Sequence, residues 1–368
     1  MQPLSLFQSR FSKCLLPLSF FYGAASYCRI SAYRLGLISR VRPGCRVISV
    51  GNLTVGGTGK TPVVIDLARR LIARGHKVAV LSRGYGRKSK APHLVVSDGT
   101  ALLATPQDAG DEPYLMALSV PGLIVIVGSK RLETQSIAVE KFGANVILLD
   151  DGFQHLPVVR DVDIVLWDYN DDVQSSALLP AGRLREPLSA LGRASHVVIS
   201  KVPPDVLTAS PQNDERLNNL TRQLLKLNSN NSLTACSFVS AGFRSLIDIS
   251  DQMLPLSQFE GKSALAICGI ARPESFYKSL YSVGVKVLSK PSGCLAFGDH
   301  HWFSSADIQK MQGEFERSGA DFIATTMKDA CRLIQSGLVP EALSGKIFAL
   351  EQKVQWQPGE PPFLAGSI

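Results

Sequence analysis

No aspartate or glutamate precedes Asp66 in this chain, although Arg10, Lys13, Arg29, Arg34, Arg40, Arg42 and Arg46 all fall in that span. The formal net charge of +8 over 368 residues extends the bias to the whole molecule. An anionic partner is implied: a nucleotide, a nucleic acid or a membrane surface. Cysteine is sparse and unpatterned. The seven residues (Cys14, Cys28, Cys45, Cys236, Cys268, Cys294 and Cys331) are odd in number and form no CxxC pair, which excludes a disulfide framework and a zinc site and suits a reducing compartment. No internal repeat occurs, and low complexity is confined to a short "NSNNS". Basic groups are not interleaved with a stacking platform, and no RNA or DNA motif is present, so nucleic acid is set aside.

A long apolar run is also missing. The uncharged stretch between Lys13 and Arg29, "CLLPLSFFYGAASYC", falls short of the roughly 20 apolar residues of a comfortable membrane span, and Pro17 interrupts it. Its basic flanks, with Phe20, Phe21, Tyr22, Tyr27 and Tyr33, suit a segment lying in the headgroup layer. A secretory signal peptide and a first helix docked on the protein's own core are the competing readings.

What is present is a core. With 45% hydrophobic and 19% charged residues the chain is not disordered, and its length suggests two domains. "CRVISVGNLT" reads as a buried strand ending in a turn, and "TPVVIDLARRLIARG" as a helix with Val64, Leu67, Ala68 and Leu71 on one face. "KVAVLSRG", "GLIVIVG", "ANVILLDD", "DVDIVLWD" and "ASHVVISK" are apolar runs without alternation, as in strands buried on both faces, and helical segments such as 130–142 intervene. The fold class expected is α/β: a P-loop NTPase-like, doubly wound, mostly parallel sheet with a second, smaller α/β domain and an N-terminal membrane-associated helix. The expected boundaries are 1–40 for the membrane-associated segment, 41–202 for the P-loop domain, 203–232 for a polar linker and 233–368 for the smaller domain.

"TVGGTGKT" supplies the chemistry. Gly56, Gly57 and Gly59 let successive N–H groups of Thr54, Val55, Gly56, Gly57, Thr58 and Gly59 turn toward phosphate oxygens. Lys60 reaches the β- and γ-phosphates and Thr61 offers a hydroxyl to Mg²⁺. Thr54 stands where the general pattern has its first glycine, which makes the loop a variant form. Asp150 and Asp151 end a buried strand, as carboxylates that hold a Mg²⁺ water shell do; a solvated strand end is the plainer alternative. "DAGDEP" brings Asp108, Asp111 and Glu112 ahead of Pro113, suited to a base or metal role and also to helix capping. "FGDHHWF" sets Asp299, His300 and His301 in a row, a poor metal pair but a plausible source of one oriented histidine. Arg83, Arg87, Arg183 and Arg185 lie in basic loops able to clamp phosphate.

Taken together, "GNLTVGGTGKTP", "SRGYGR", "DAGDEP", "LDDGFQH", "LLPAGRLREP", "FGDHHWF" and "TTMKDACRL" resemble the tetraacyldisaccharide 4′-kinase family over roughly residues 15–335. The resemblance implies an ATP- and Mg²⁺-dependent enzyme at the cytoplasmic face of the inner membrane, phosphorylating the 4′-hydroxyl of an acylated glucosamine disaccharide 1-phosphate. It also implies Asp111 as the base with His300 beside it, and Glu112, Asp150 and Asp151 as the metal and phosphate-end carboxylates. Tyr85, Arg131, His155 and Arg183 or Arg185 are the implied nucleotide or headgroup contacts. A GTPase-type switch or metal-delivery protein is the alternative, since "TMKDA" and "ISKVPPD" echo a guanine-reading Lys-x-Asp element.

Overall fold

The computed structural model describes residues 14–173, 177–209, 211–228, 230, 232–249, 253–288, 294–357 and 359–364. The expectations for residues 1–13, with Arg10 and Lys13, and for part of "NSNNS" lie outside them. The fold is mixed α/β with mostly parallel strands, and the chain divides into two compact units. One comprises Met1–Arg83, Gly122–Phe238 and Val354–Ile368, the other Gly84–Pro121 and Val239–Lys353.

In the first unit the strand Arg46–Asn52 is central. It pairs in parallel with Val146–Asp150 on one side and Val162–Asp168 on the other. Val146–Asp150 leads outward to Val78–Ser82 and then Ile124–Gly128, while Val162–Asp168 leads to His196–Ser200 and the start of Leu233–Ser245, all parallel. These strands are buried almost throughout, which is why their sequences run apolar without alternation. The helix Lys60–Ala73 buries Val64, Leu67, Ala68 and Leu71 as their spacing dictates. The expected helix at 130–142 is split. Arg131–Ser136 is α-helical and Ile137–Lys141 continues as a π-helical turn, a subtlety no apolar period announces.

Residues 203–232 carry the helix Glu215–Leu227, capped by the Asp214 side chain. Its Leu217, Leu220 and Leu224 join one core cluster with Trp167, Val197 and Ile199. The polar composition of this stretch therefore belongs to the outer face of a packed helix.

The N-terminal helix is Leu16–Arg34, with Pro17 in its first turn. Leu15, a turn residue within the apolar run, precedes it, and proline is tolerated in the first turn because a residue there has no intrahelical N–H bond to lose. No helix among the described residues is long and apolar enough to cross a membrane. One face docks on the first unit. Ser19 Oγ donates to the Leu178 carbonyl at 3.0 Å and accepts from the Ala181 N–H at 2.9 Å, and Tyr22 Oη donates to the Arg185 carbonyl at 2.8 Å. A Cβ on Gly23 would meet Leu178 Cδ1 at 2.8 Å, so glycine permits the close approach. Phe20, Phe21 and Tyr27 are left 74%, 70% and 67% exposed.

In the second unit, Ser263–Cys268 pairs in parallel with Phe322–Thr326, which pairs with Ile347–Gln357; Lys286–Val287 and Cys294–Ala296 also pair with Ser263–Cys268. Phe243, Phe259, Phe322 and Phe348 form an aromatic cluster beside these strands. The helices Ser305–Ser318 and Met327–Ser336 follow their strands in alternation. Gly84–Pro121, with the helix Asp111–Ser119, belongs to this unit, and Leu118 packs against its core.

Candidate active site

The first unit carries the glycine loop. After Asn52 the chain is laced to the basic loop that holds Arg183 and Arg185. Arg185 N–H donates to the Leu53 carbonyl at 2.7 Å, Val55 N–H donates to the Arg183 carbonyl at 2.8 Å, and Thr54 bridges Leu184 in antiparallel fashion. Thr54 is 4% exposed and is not among the positive-φ residues, so a β-branched side chain fits where the general pattern has glycine. Gly56 and Gly59 do need φ of 115° and 85°. A Cβ on Gly56 would meet Arg183 Nη2 at 2.8 Å, and one on Gly59 would strike the Phe238 ring.

Arg183 donates from Nη2 to the Val55 carbonyl at 2.8 Å and from Nη1 to Asp171 at 2.7 Å, so it roofs the loop. Lys60 donates to Asn52 Oδ1 at 3.1 Å and lies 3.5 Å from Asp151, whose carboxylate also takes Arg185 at 2.7 Å. Burial alone would push the Asp151 carboxyl up; Lys60 and Arg185 outweigh it and hold it below the ordinary range.

Asp150 is buried, accepts from Ser82 Oγ at 2.8 Å, and aligns with Val50 on the strand that feeds the loop. Thr61 occupies the first helical turn beyond the loop. Buried oxygen donors of this kind suit a hard cation such as Mg²⁺. Among the described residues there is no group of three or more acidic, histidine or cysteine side chains placed to hold a metal ion.

Arg131 is 1% exposed and donates to the Asp150 carbonyl, leaving Nε and Nη1 without partners. Burial brings its pKa down to about 10. His155 is pushed down to about 3, first by burial and then by Arg131 and Arg83, so its imidazole is neutral; its Nε2 is buried without a partner.

The second unit carries Asp111, at the start of the helix Asp111–Ser119 and 6% exposed. Three donors converge on its Oδ2: His300 Nδ1–H at 2.9 Å, Arg332 Nε at 2.9 Å and Arg332 Nη2 at 2.5 Å. No described residue donates to Oδ1. Arg332 is fully buried and bonds through Nη1 to Asp329 at 3.0 Å and to the Gly269 carbonyl at 3.1 Å. Asp329 in turn accepts from Thr326 Oγ1 at 2.6 Å and Gly269 N–H at 3.1 Å.

The doubled histidine is resolved. His300, at φ 58°, faces Asp111, whereas His301 bonds Asp307 at 3.0 Å and stacks on Phe297. Ser304, with Asp307, caps the following helix, so Asp299 is not its cap. Asp108 lies in the first turn of a short helix capped by Thr105, whose hydroxyl donates to the Asp108 carboxylate at 2.8 Å. Glu112 is drawn to Lys328 at 2.5 Å and belongs to the second unit. Tyr85 is 94% exposed on the second unit. The two guanine-reader echoes are otherwise occupied. Lys328 and Asp329 serve Glu112 and Arg332, while Lys201 bonds Asp168.

Neither Arg332 nor Asp329 was given a role in the site from sequence, although both lie within "TTMKDACRL"; a further sign is that these charges stand three apart on the inward face of a helix whose neighbours are Ala330, Cys331 and Leu333.

This mixed α/β fold, with a glycine loop opening a helix in one unit and a carboxylate–histidine pair in the other, is that of a kinase. A family model described as tetraacyldisaccharide-1-P 4′-kinase matches residues 11–365, and the chain belongs to that family. The tetraacyldisaccharide 4′-kinase of Syntrophus aciditrophicus is 38% identical over 95% of this chain and 91% of its own length; that of Pelobacter propionicus is 37% identical over 87% and 82%. A crystal structure of LpxK from Aquifex aeolicus in complex with ATP has a TM-score of 0.75 and 31% identity, covering 95% of this chain and 96% of that one. These relatives favour the kinase over the GTPase-type switch.

Proposed function

We propose the following division of labour for an ATP-dependent kinase that phosphorylates the 4′-hydroxyl of tetraacyldisaccharide 1-phosphate in lipid A biosynthesis. The backbone N–H groups from Gly56 to Thr61 cradle the triphosphate, the Val55 N–H being taken by the Arg183 carbonyl, and Lys60 leaves Asp151 to meet the γ-phosphoryl oxygens. Arg183, half-exposed above Gly56, is placed to add a phosphate contact, and Arg185 keeps Asp151 paired once Lys60 departs. Thr61 with Asp150 and Asp151 would hold Mg²⁺, which when bound supplies positive charge beside the phosphoryl oxygens. Glu112, already paired with Lys328, is assigned to steadying the turn that presents Asp111.

Asp111 accepts the proton of the sugar hydroxyl through Oδ1 while Oδ2 stays fixed by His300 and Arg332. The hydroxyl oxygen forms the new P–O bond as the bond to ADP breaks. Tyr85, Arg131 and His155 are assigned to nucleotide or headgroup contacts. The neutral His155 ring can take or give a hydrogen bond beside the buried Arg131 without adding charge.

The helix Leu16–Arg34, with Phe20, Phe21 and Tyr27 outward, is assigned to the headgroup layer at the cytoplasmic face of the inner membrane, as a peripheral or monotopic attachment. A lipid substrate requires a site at that surface.

The observation that carries this reading is the Asp111 carboxylate, whose Oδ2 is held by three donors while Oδ1 accepts from no described residue. The test is to incubate the purified protein with Mg²⁺, γ-labelled ATP and an acylated disaccharide 1-phosphate. Label in the lipid supports the assignment; label only in inorganic phosphate rejects it.

A further inference from the structure

The motif "ISKVPPD" is not absorbed by the transfer chemistry. Ser200 ends the strand His196–Ser200, and Lys201 follows it at φ 59°. A left-handed conformation is strained for lysine and persists only where surrounding contacts offset the strain. What fixes it here is the glycine loop. Lys201 Nζ donates to the Gly57 carbonyl and, at 2.6 Å, to Asp168 Oδ2; Ser200 Oγ, fully buried, donates to the Thr58 carbonyl at 2.8 Å. Asp168 is itself held by the N–H and Nδ2 of Asn170 at 3.0 and 3.1 Å. Two consecutive loop carbonyls are therefore tied to two consecutive residues of a neighbouring strand end.

In a trans peptide the carbonyl of one residue and the N–H of the next point in opposite directions. Fixing the carbonyls of Gly57 and Thr58 turns the N–H groups of Thr58 and Gly59 away from Ser200 and Lys201. Those two N–H groups donate to no described residue. Glycines make a loop able to bend but do not choose which way its peptides face.

We infer that Ser200 and Lys201 are positioning residues that fix the orientation of the loop's peptide planes, so that the Thr58 and Gly59 N–H groups are aimed at nucleotide phosphate before it arrives. Asp168 holds the lysine in place. The inference rests on the reading that this loop binds ATP. It adds that phosphate affinity is set from outside the glycine motif, by residues that do not touch the nucleotide.

The experiment compares wild type with Lys201→Met, which keeps the stem and removes the ammonium, and with Ser200→Ala. Initial rates are measured against ATP and against the acylated disaccharide phosphate, together with thermal unfolding with and without MgATP. In Lys201→Met the KM for ATP should rise about tenfold or more, the scale of a lost hydrogen bond to a charged group. The KM for lipid should stay within twofold, and the unfolding shift given by MgATP should shrink. Ser200→Ala should move the same quantities in the same direction by less. If both variants keep the wild-type KM for ATP, or if both kinetic constants collapse together with ligand-free stability, the inference is overturned. Should Lys201→Met fail to fold, Ser200→Ala decides alone by the same criteria. A wild type that does not transfer label from ATP rejects the functional reading itself, a distinct outcome.

Discussion

Arg332 and Asp111 are 221 positions apart in sequence, yet the guanidinium meets the carboxylate twice, with Nε at 2.9 Å and Nη2 at 2.5 Å from Oδ2. The remaining Nη1 reaches Asp329, which is also fully buried. One buried cation thus balances two buried carboxylates, and its removal strands both. Arg332→Met should destabilise the protein by about 3–5 kcal/mol, the penalty for breaking a buried ion pair from one side. Urea unfolding measures this, and a loss below about 1 kcal/mol would show that the pair is not desolvated as described.

Asp111→Asn keeps the shape of the side chain but cannot take up a proton as the carboxylate does. Its kcat should fall by about 10²–10⁴-fold, the usual value of a positioned base, with the KM for ATP little changed. The histidines separate cleanly. His300→Ala should also lower kcat, because it removes a donor from Asp111 Oδ2. His301→Ala should leave kcat near wild type and cost about 0.5–1.5 kcal/mol of stability, the net worth of its bond to Asp307. Equal kinetic effects from both histidines would contradict the geometry.

His155 makes stability depend on pH in a definite direction. Its imidazole titrates near pH 6.5 in the unfolded chain but only at about 3 when folded. Between those values the unfolded state binds the extra proton, so stability falls as the pH drops from 6.5 toward 3. Above pH 6.5 both states are neutral and the group contributes no slope. His155→Asn removes this titration. Denaturant unfolding at pH 7.5 and pH 5 should show wild type losing more stability than the variant; equal losses would place the imidazole in a less buried, less cationic setting.

Phe20 and Phe21 lie on the solvent side of the first helix, away from the polar contacts of Ser19 and Tyr22. Replacing both by serine should leave ATP affinity intact. It should weaken partition onto anionic vesicles by about tenfold or more, from the loss of two aromatic burials in the interface. Vesicle co-sedimentation measures the effect, and unchanged partition would remove this helix from the membrane contact.

The strands and most helices could be read in advance because burial on two faces leaves runs such as "VILLD", and burial on one face leaves the Val64–Leu67–Leu71 spacing. The glycine loop was legible for the same local reason. Arg332 was not, since nothing near it in sequence marks a partner two hundred residues upstream. Nor was the place of Gly84–Pro121 in the second unit, which depends on Leu118 finding a core built from residues that come much later.

The last strand returns to the first unit with one further effect. The Trp356 indole N–H donates at 2.7 Å to Asp66 on the helix that begins at Lys60, and Arg74 at the far end of that helix donates to the Leu364 carbonyl at 2.6 Å. The unit that carries the glycine loop is therefore completed by residues that follow the whole of the second unit in sequence. A nascent chain that stops short of Trp356 holds a loop whose helix still lacks its outer brace, so it should bind nucleotide more weakly than the chain that includes it.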